Sequence, residues 1–163
     1  MKTITQSQMQ EAIDEAIAKG KKNILFVSPT IEVWPIIHWF EKHPEYTRRG
    51  DTPKFLYDYD EAGNIVKYED NNCMYPSVLE ELNAGNVVLF VYPFGDECIV
   101  GFKEYLDVLT KRTFTNHFLN EEPKTYPLDK LVLFIAASSP SGLDGFSLDE
   151  SYYGLFDEVY FVE

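Results

Sequence analysis

The sequence has few cysteines, few basic residues and no long apolar run, and each shortage excludes a class of protein. Its two cysteines, Cys73 and Cys98, cannot form the disulfide framework of a small secreted domain, and neither lies in a C-x-x-C spacing. The longest apolar runs, 87–92 and 131–137, are far shorter than the roughly 20 residues of a membrane-spanning helix. The first residues contain no apolar stretch typical of a signal peptide. We therefore expect a cytoplasmic protein with reduced thiols and no membrane segment.

Basic residues are outnumbered, with 14 Lys and Arg against 27 Asp and Glu, which gives a net charge of −13. Direct binding of nucleic acid depends on Lys and Arg that displace phosphate counterions, and this chain has too few. Attraction to an anionic membrane surface is disfavoured for the same reason. The acid is concentrated in residues 55–110, which hold 11 acidic and 2 basic side chains. This segment could attract a basic protein partner.

What the sequence does have is an alternation of apolar runs and helical segments over 163 residues, 45% of them hydrophobic. The length suits a single domain, 1–163. Continuous apolar runs predict strands that are buried on both faces, as in a parallel sheet. The predicted class is α/β, a three-layer αβα sandwich with a mainly parallel sheet. The predicted strands are 23–27, 87–91, 131–136 and 158–162, the predicted helices 8–19, 31–42, 75–83 and 99–110, with a hairpin from 54–57 and 65–68 and a polar segment 113–126 compatible with a second one.

Three stretches carry a resemblance to a known family. Residues 82–91 look like a helix, Gly turn and strand that lead into Walker B acids. Residues 131–140 end in Ala-Ala-Ser-Ser-Pro and look like a sensor 1 strand, and 148–159 look like the segment before a last core strand. On these stretches the chain resembles the αβα core of an AAA+ ATPase, closest to MoxR-like members. The resemblance implies a core of the P-loop NTPase type.

The position of the P-loop departs from the pattern that this chemistry needs. A P-loop, Gly-x-x-x-x-Gly-Lys-Ser/Thr, cradles phosphates with backbone N–H groups, reaches them with Lys and holds Mg²⁺ with a hydroxyl. Here Ser28 stands at the first glycine, Val33 at the second, Trp34 at the lysine and Pro35 at the magnesium ligand. Thr30, within this stretch, is a candidate N-cap for the next helix. The Walker A motif is therefore degenerate.

The other expected catalytic positions are altered as well. Tyr92 and Pro93 replace the paired acids of Walker B. Ser139 stands where sensor 1 has Asn, and Leu155 stands where the family places an arginine finger. The chain ends at Glu163, so the resemblance implies a core without the helical lid domain. We expect no catalytic residue, no cofactor and no metal.

Two further clusters could be read as metal sites, and both have plainer interpretations. His38 and His43 are five residues apart, so they diverge on a helix instead of facing one ion as in H-E-x-x-H. Asp58, Asp60 and Glu61 lack the spacing of a calcium loop and are typical of a solvated acidic turn.

Aromatic side chains are placed to lie near the vacated nucleotide crevice, since ligands of open α/β sheets bind at the carboxyl ends of the strands. They can simply fill the crevice, or they can turn it into a docking surface. These side chains are Trp34, Trp39, Phe40, Tyr92 and Phe94.

The predicted function is that of a non-enzyme, an AAA+-like domain that has lost ATP hydrolysis and acts by binding another protein. A different doubly wound α/β domain is the alternative to the family resemblance. Two functional alternatives stay open. The chain could be a partner subunit in a hetero-oligomeric ATPase that offers Arg112 to its neighbour, or an acidic mimic of nucleic acid that occupies a basic protein surface. The partner and the oligomeric state are left open.

Overall fold

A six-stranded sheet with only parallel pairings forms the centre of the fold. The computed structural model describes residues 1–30, 33–49, 57–59, 61–62, 65–68, 76–92, 94, 102–116, 122–139 and 147–163. In chain order the strands are β1 (Lys2–Ile4), β2 (Asn23–Ser28), β3 (Thr47–Arg49), β4 (Tyr57–Tyr59), β5 (Ile65–Tyr68), β6 (Val87–Val91), β7 (Thr113–Asn116), β8 (Lys124–Pro127), β9 (Val132–Ser138) and β10 (Glu158–Val162). The helices are α1 (Met9–Ala18), α2 (Trp34–Lys42), α3 (Pro76–Leu82) and α4 (Phe102–Lys111), with 3₁₀ turns at Gln6–Gln8 and Glu150–Leu155.

The order of strands in the sheet is β1-β10-β2-β9-β6-β3. The central strands β2, β9 and β6 are buried along their whole length, as their continuous apolar runs predict. Because side chains alternate along a strand, Ile24 and Phe26 pack under α1 and α2 on one face. Leu25 and Val27 pack under α3 and α4 on the other. The predicted α/β class, with a parallel sheet and interleaved helices, is confirmed.

The two edge strands of the sheet were not predicted from the sequence. β1 and β3 have three residues each and are mostly exposed, so they lack the apolar pattern that identifies a strand. They form because β10 and β6 offer them a row of backbone groups to pair with. Short, polar strands of this kind protect a sheet from pairing with other chains.

Helix α1 ends at Ala18, one residue before the predicted boundary, and Gly20 forms the turn that follows it. The N–H of Gly20 donates to the carbonyl of Ile17 and the N–H of Lys21 to that of Ala16, which is a Schellman motif. Gly20 has φ +73°, a conformation that glycine adopts without strain. α1 and α4 have ten residues each, and no helix in the described part of the chain has the length and apolarity to cross a membrane.

Two antiparallel hairpins accompany the sheet. β4 pairs with β5 and β7 pairs with β8, so both hairpin predictions are confirmed. Most of the first strand predicted for the β4–β5 hairpin, 54–56, lies outside the described residues, as do Asp60, Gly63 and Asn64 of its turn. The β7–β8 hairpin places Phe114 and Tyr126 in the core face that holds α4.

Tyr160 on β10 links the sheet to α1. It is 2% exposed, and its hydroxyl donates a hydrogen bond to the carbonyl of Ala12 at 3.2 Å. Burial is the main cause that raises the pKa of Tyr160 to about 12, and the negative charges of Glu158 and Glu15 add to it. The folded chain therefore holds this proton at a pH where the unfolded chain, with a tyrosine pKa of about 10, has lost it.

We expect this proton to make stability depend on pH in the alkaline range. The contribution is complete below about pH 10 and is lost as the pH rises toward 12, because the unfolded state binds fewer protons there. Tyr160→Phe should cost about 1 kcal/mol at neutral pH through the lost hydrogen bond. Between pH 10 and 12 the wild type should lose stability faster than the variant. Denaturant unfolding of both proteins across this range measures the difference, and parallel curves would contradict it.

Candidate functional site

The carboxyl ends of β2 and β9 form the floor of the predicted nucleotide crevice. Ser28 pairs with Ser138, and the N–H of Ser139 donates to the carbonyl of Ser28 at 2.7 Å. Ser28 and Ser139 are both buried. The positions predicted for the first P-loop glycine and for sensor 1 are thus brought together, with their backbones bonded to each other.

The first turn of α2 lies next along the chain and offers few hydrogen-bond donors. Val33 is the N-cap, Pro35 in the first turn has no N–H, and Ile36 and Ile37 both donate to the carbonyl of Val33. Of the first three residues of α2, only Trp34 has an N–H that does not donate to the carbonyl of Val33. A helix N-terminus binds anions through its free N–H groups, and most of them are missing here.

The prediction that Thr30 caps this helix is wrong. Helix α2 begins at Trp34, so the N-cap is Val33, three residues later. Proline is favoured in the first turn because its fixed φ suits a helix and its missing N–H would have no partner there. Pro35 therefore sets the start of the helix, and Thr30 remains exposed in the connection before it.

The aromatic residues near the crevice divide into two groups. Trp39 and Phe94 are fully buried, on opposite faces of the sheet, and belong to the core. Tyr92 is partly buried and stacks on Phe90 with 5.0 Å between ring centroids. Trp34, by contrast, is 67% exposed, at the amino end of α2. Core packing accounts for the first group, and Trp34 is left in solvent.

The position predicted for the Walker B acids is described only in part. Tyr92 follows β6 directly, at the same edge of the sheet as Ser28 and Ser139. Pro93 lies outside the described residues, as do the nearby acids Asp96 and Glu97.

Leu155 lies at the opposite edge of the sheet. It precedes β10, and Asp157 beside it donates its N–H to the carbonyl of Asn23 at the amino end of β2. The position predicted for an arginine finger is therefore separated from the crevice by the length of the strands. Leu155 contributes to the wall of a cavity of about 340 Å³, which is also lined by Lys22, Asn23, Leu109, Arg112, Asp129 and Asp157.

Arg112 has a structural role in this cavity that the sequence did not indicate. Its guanidinium donates to the side-chain oxygen of Asn23 and to the carbonyl of Leu131, at the starts of β2 and β9. Burial lowers the pKa of Arg112, while the charges of Asp157 and Asp129 oppose that effect. The guanidinium therefore joins α4 to the amino ends of the two central strands.

Asp157 adds further hydrogen bonds at this amino edge of the sheet. One of its carboxylate oxygens accepts the N–H of Lys22 at 2.8 Å and the N–H of Asn23 at 2.9 Å. The ammonium of Lys22 donates to the carbonyl of Asp129 at 2.6 Å. Backbone groups at the start of β2 are thus bonded to side chains that are distant in sequence.

The predicted histidines are separated, as their spacing indicates. His38 is exposed, with Nδ1 2.9 Å from a carboxylate oxygen of Glu41. His43 stacks on Trp39, and its Nε2 lies 3.1 Å from a carboxylate oxygen of Asp14, which also accepts the indole N–H of Trp39. Within the described residues, no three His, Cys, Asp or Glu side chains form a group that could hold a metal ion.

Comparison with known proteins assigns the chain to no family. No protein-family model matches it, and no curated protein is a significant match. The geometry of the two sheet edges is therefore the basis for any functional proposal.

We expect Arg112→Ala to destabilise the fold. The change leaves the buried Asn23 amide and the Leu131 carbonyl without their charged donor, which should cost about 2–4 kcal/mol of unfolding free energy. Arg48→Ala is the matched control, because Arg48 is an exposed arginine on an edge strand and its loss should cost less than about 0.5 kcal/mol. Chemical denaturation measures both. An Arg112 variant as stable as the control would contradict the structural role.

Proposed function

We propose that the chain is a non-catalytic α/β domain with a degenerate AAA+-like core, which acts by binding another protein and does not hydrolyse ATP. The observation that carries the proposal is the first turn of α2, where Trp34 and Pro35 occupy the positions of the P-loop lysine and hydroxyl. This turn lacks the cation and most of the free N–H groups that would hold a triphosphate.

The strand order supports the AAA+-like part of the proposal. β9 lies between β2 and β6, so the carboxyl ends that would carry the P-loop, sensor 1 and Walker B are neighbours. A site built from segments that follow different strands needs such neighbouring ends. Numbered along the chain without β1, the five strands have the order 5-1-4-3-2. This order differs from the 3-2-1-4-5-6 and 2-1-3-4-5 orders of the common doubly wound folds.

The exposed face of α2 supports the binding part of the proposal. Trp34, His38 and Glu41 are all exposed and lie at i, i+4 and i+7, on one side of the helix. The rings of Trp34 and His38 are 6.3 Å apart. Tryptophan is among the residues that contribute most to protein interfaces, and here its side chain has no structural role in the core.

The alternative in which Arg112 serves a neighbouring subunit is less well supported. Its guanidinium is already bonded to Asn23 and Leu131, and reaching another chain would break both bonds. The alternative of a nucleic-acid mimic rests on the acidic residues of 55–110, and many of these residues lie outside the described part of the chain.

We expect ATP with Mg²⁺ to leave the melting temperature unchanged within about 1 °C. A ligand that binds only the folded state at 100 times its Kd adds about 2.7 kcal/mol, or several degrees for a chain of this size. Thermal melting at millimolar ATP, with Mg²⁺ alone as the control, distinguishes the two results. An increase of several degrees that depends on the nucleotide would overturn the proposal.

We expect Trp34→Ala to abolish partner capture while leaving the fold intact, because the side chain is exposed. Loss of a central interface tryptophan typically weakens binding by tenfold or more. Thr125→Ala, also at an exposed position, is the matched control. Affinity purification with quantitative mass spectrometry should find proteins that the wild type and the control retain and the Trp34 variant loses. An identical set from all three proteins would count against α2 as the binding surface.

A further inference from the structure

A second cavity lies at the amino edge of the sheet, away from the crevice and from the exposed face of α2. Its volume is about 270 Å³, just below the range of about 300–1,000 Å³ that is typical of small-molecule sites. It lies between the end of α1, the turn after α3 and the start of β9. We name it the lysine cavity. Its lining residues are Ile17, Gly20, Lys21, Lys22, Tyr46, Gly85, Lys130 and Val132.

The charge of this lining is opposite to that of the chain. Three of its described residues are lysines and none is acidic, in a protein with 27 acids and 14 Lys and Arg. Lys22 donates its ammonium group to the carbonyl of Asp129. Within the described part of the chain, the ammonium groups of Lys21 and Lys130 have no hydrogen-bond or ion-pair partner. Two cations therefore remain available at one cavity.

Local structure does not require these two ammonium groups. The Schellman motif already satisfies the carbonyls of Ala16 and Ile17 at the end of α1, and Lys21 takes part in it through its backbone N–H. Lys130 likewise contributes its backbone N–H, which donates to the side-chain oxygen of Asn83 at 2.7 Å. Both residues stabilise the local structure through their backbone N–H groups, so their ammonium groups are available to bind a ligand.

The rest of the lining is apolar. Ile17, Tyr46 and Val132 supply aliphatic and aromatic surface beside the lysines. Gly20 and Gly85 have positive φ, and a Cβ at either would meet nothing within 4 Å, so the wall is open at both positions. We propose that the lysine cavity binds a small organic anion, a carboxylate or phosphate monoester attached to an apolar body. The anionic group faces Lys21 and Lys130, and the apolar body lies on Ile17, Tyr46 and Val132.

Titration with phenyl phosphate and with benzoate, followed by amide NMR shifts, tests this proposal. Binding should occur with a Kd of about 1 mM or below, as expected for a ligand of this size, with shifts concentrated at Lys21, Gly85 and Lys130. Benzyl alcohol lacks the charge and inorganic phosphate lacks the apolar body, so each should bind at least about fivefold more weakly. The relative response to the two anions shows which acid group the cavity prefers.

Matched variants separate this site from non-specific attraction. Lys21→Gln with Lys130→Gln should weaken binding about fivefold to tenfold, while the pair Lys21→Arg and Lys130→Arg retains the charge and most of the affinity. Lys19→Gln is the control, because Lys19 is an exposed lysine beside Gly20 that does not line the cavity. Absence of shifts at about 10 mM anion, equal binding of benzyl alcohol or of inorganic phosphate, or an equal effect of Lys19→Gln would overturn the proposal.

Discussion

The parallel pairing of β2 with β9 is the interaction on which the rest of the structure depends. Six residue pairs, from Asn23 with Leu133 to Ser28 with Ser138, join these two fully buried strands. The pairing continues beyond both ends, since Leu133 donates to the carbonyl of Lys22 and Ser139 to that of Ser28, each at 2.7 Å. This register determines which side chains meet at each edge of the sheet. If one strand shifted by one residue relative to its neighbour, its side chains that now pack under α1 would point to the face under α4.

How much of this arrangement follows from the sequence depends on the kind of signal. The buried strands were predictable because a run such as Val87–Val91 can be stable only when both of its faces are covered. The edge strand Thr47–Arg49 was not, because its three exposed polar residues carry no pattern and it forms only through β6. Thr30 was wrongly predicted to be a cap, since propensity favoured threonine while Pro35 determined where the helix starts.

The candidate sites show the same division. That the stretch after β2 carries no P-loop lysine or hydroxyl could be read directly from Trp34 and Pro35. The sequence could not show that Ile36 and Ile37 both donate to the carbonyl of Val33, because the backbone hydrogen bonds at the start of a helix depend on its geometry. The contact of Arg112 with Asn23 spans 89 positions of the sequence, and only the folded sheet brings the two together. Residue types can thus show that a sequence motif is absent, whereas a contact between distant segments needs the structure.

The two edges of the sheet differ in a way that the net charge of −13 conceals. The described residues that directly follow β2, β6 and β9 are uncharged: Pro29, Thr30, Tyr92 and Ser139. At the amino edge, two cavities are lined by charged residues: Lys22 and Arg112 together with Asp129 and Asp157 in the first, and Lys21, Lys22 and Lys130 without an acid in the lysine cavity. Nucleotide-binding α/β sheets need their positive groups and free N–H groups at the carboxyl ends of the strands, where helix N-termini point. In this chain those cations stand at the opposite edge, where helix C-termini offer no phosphate cradle. The anion binding that we propose at the amino edge therefore relies on lysine side chains. The cavity of about 270 Å³, with Ile17, Tyr46 and Val132 beside the lysines, suits a small amphipathic anion better than a triphosphate.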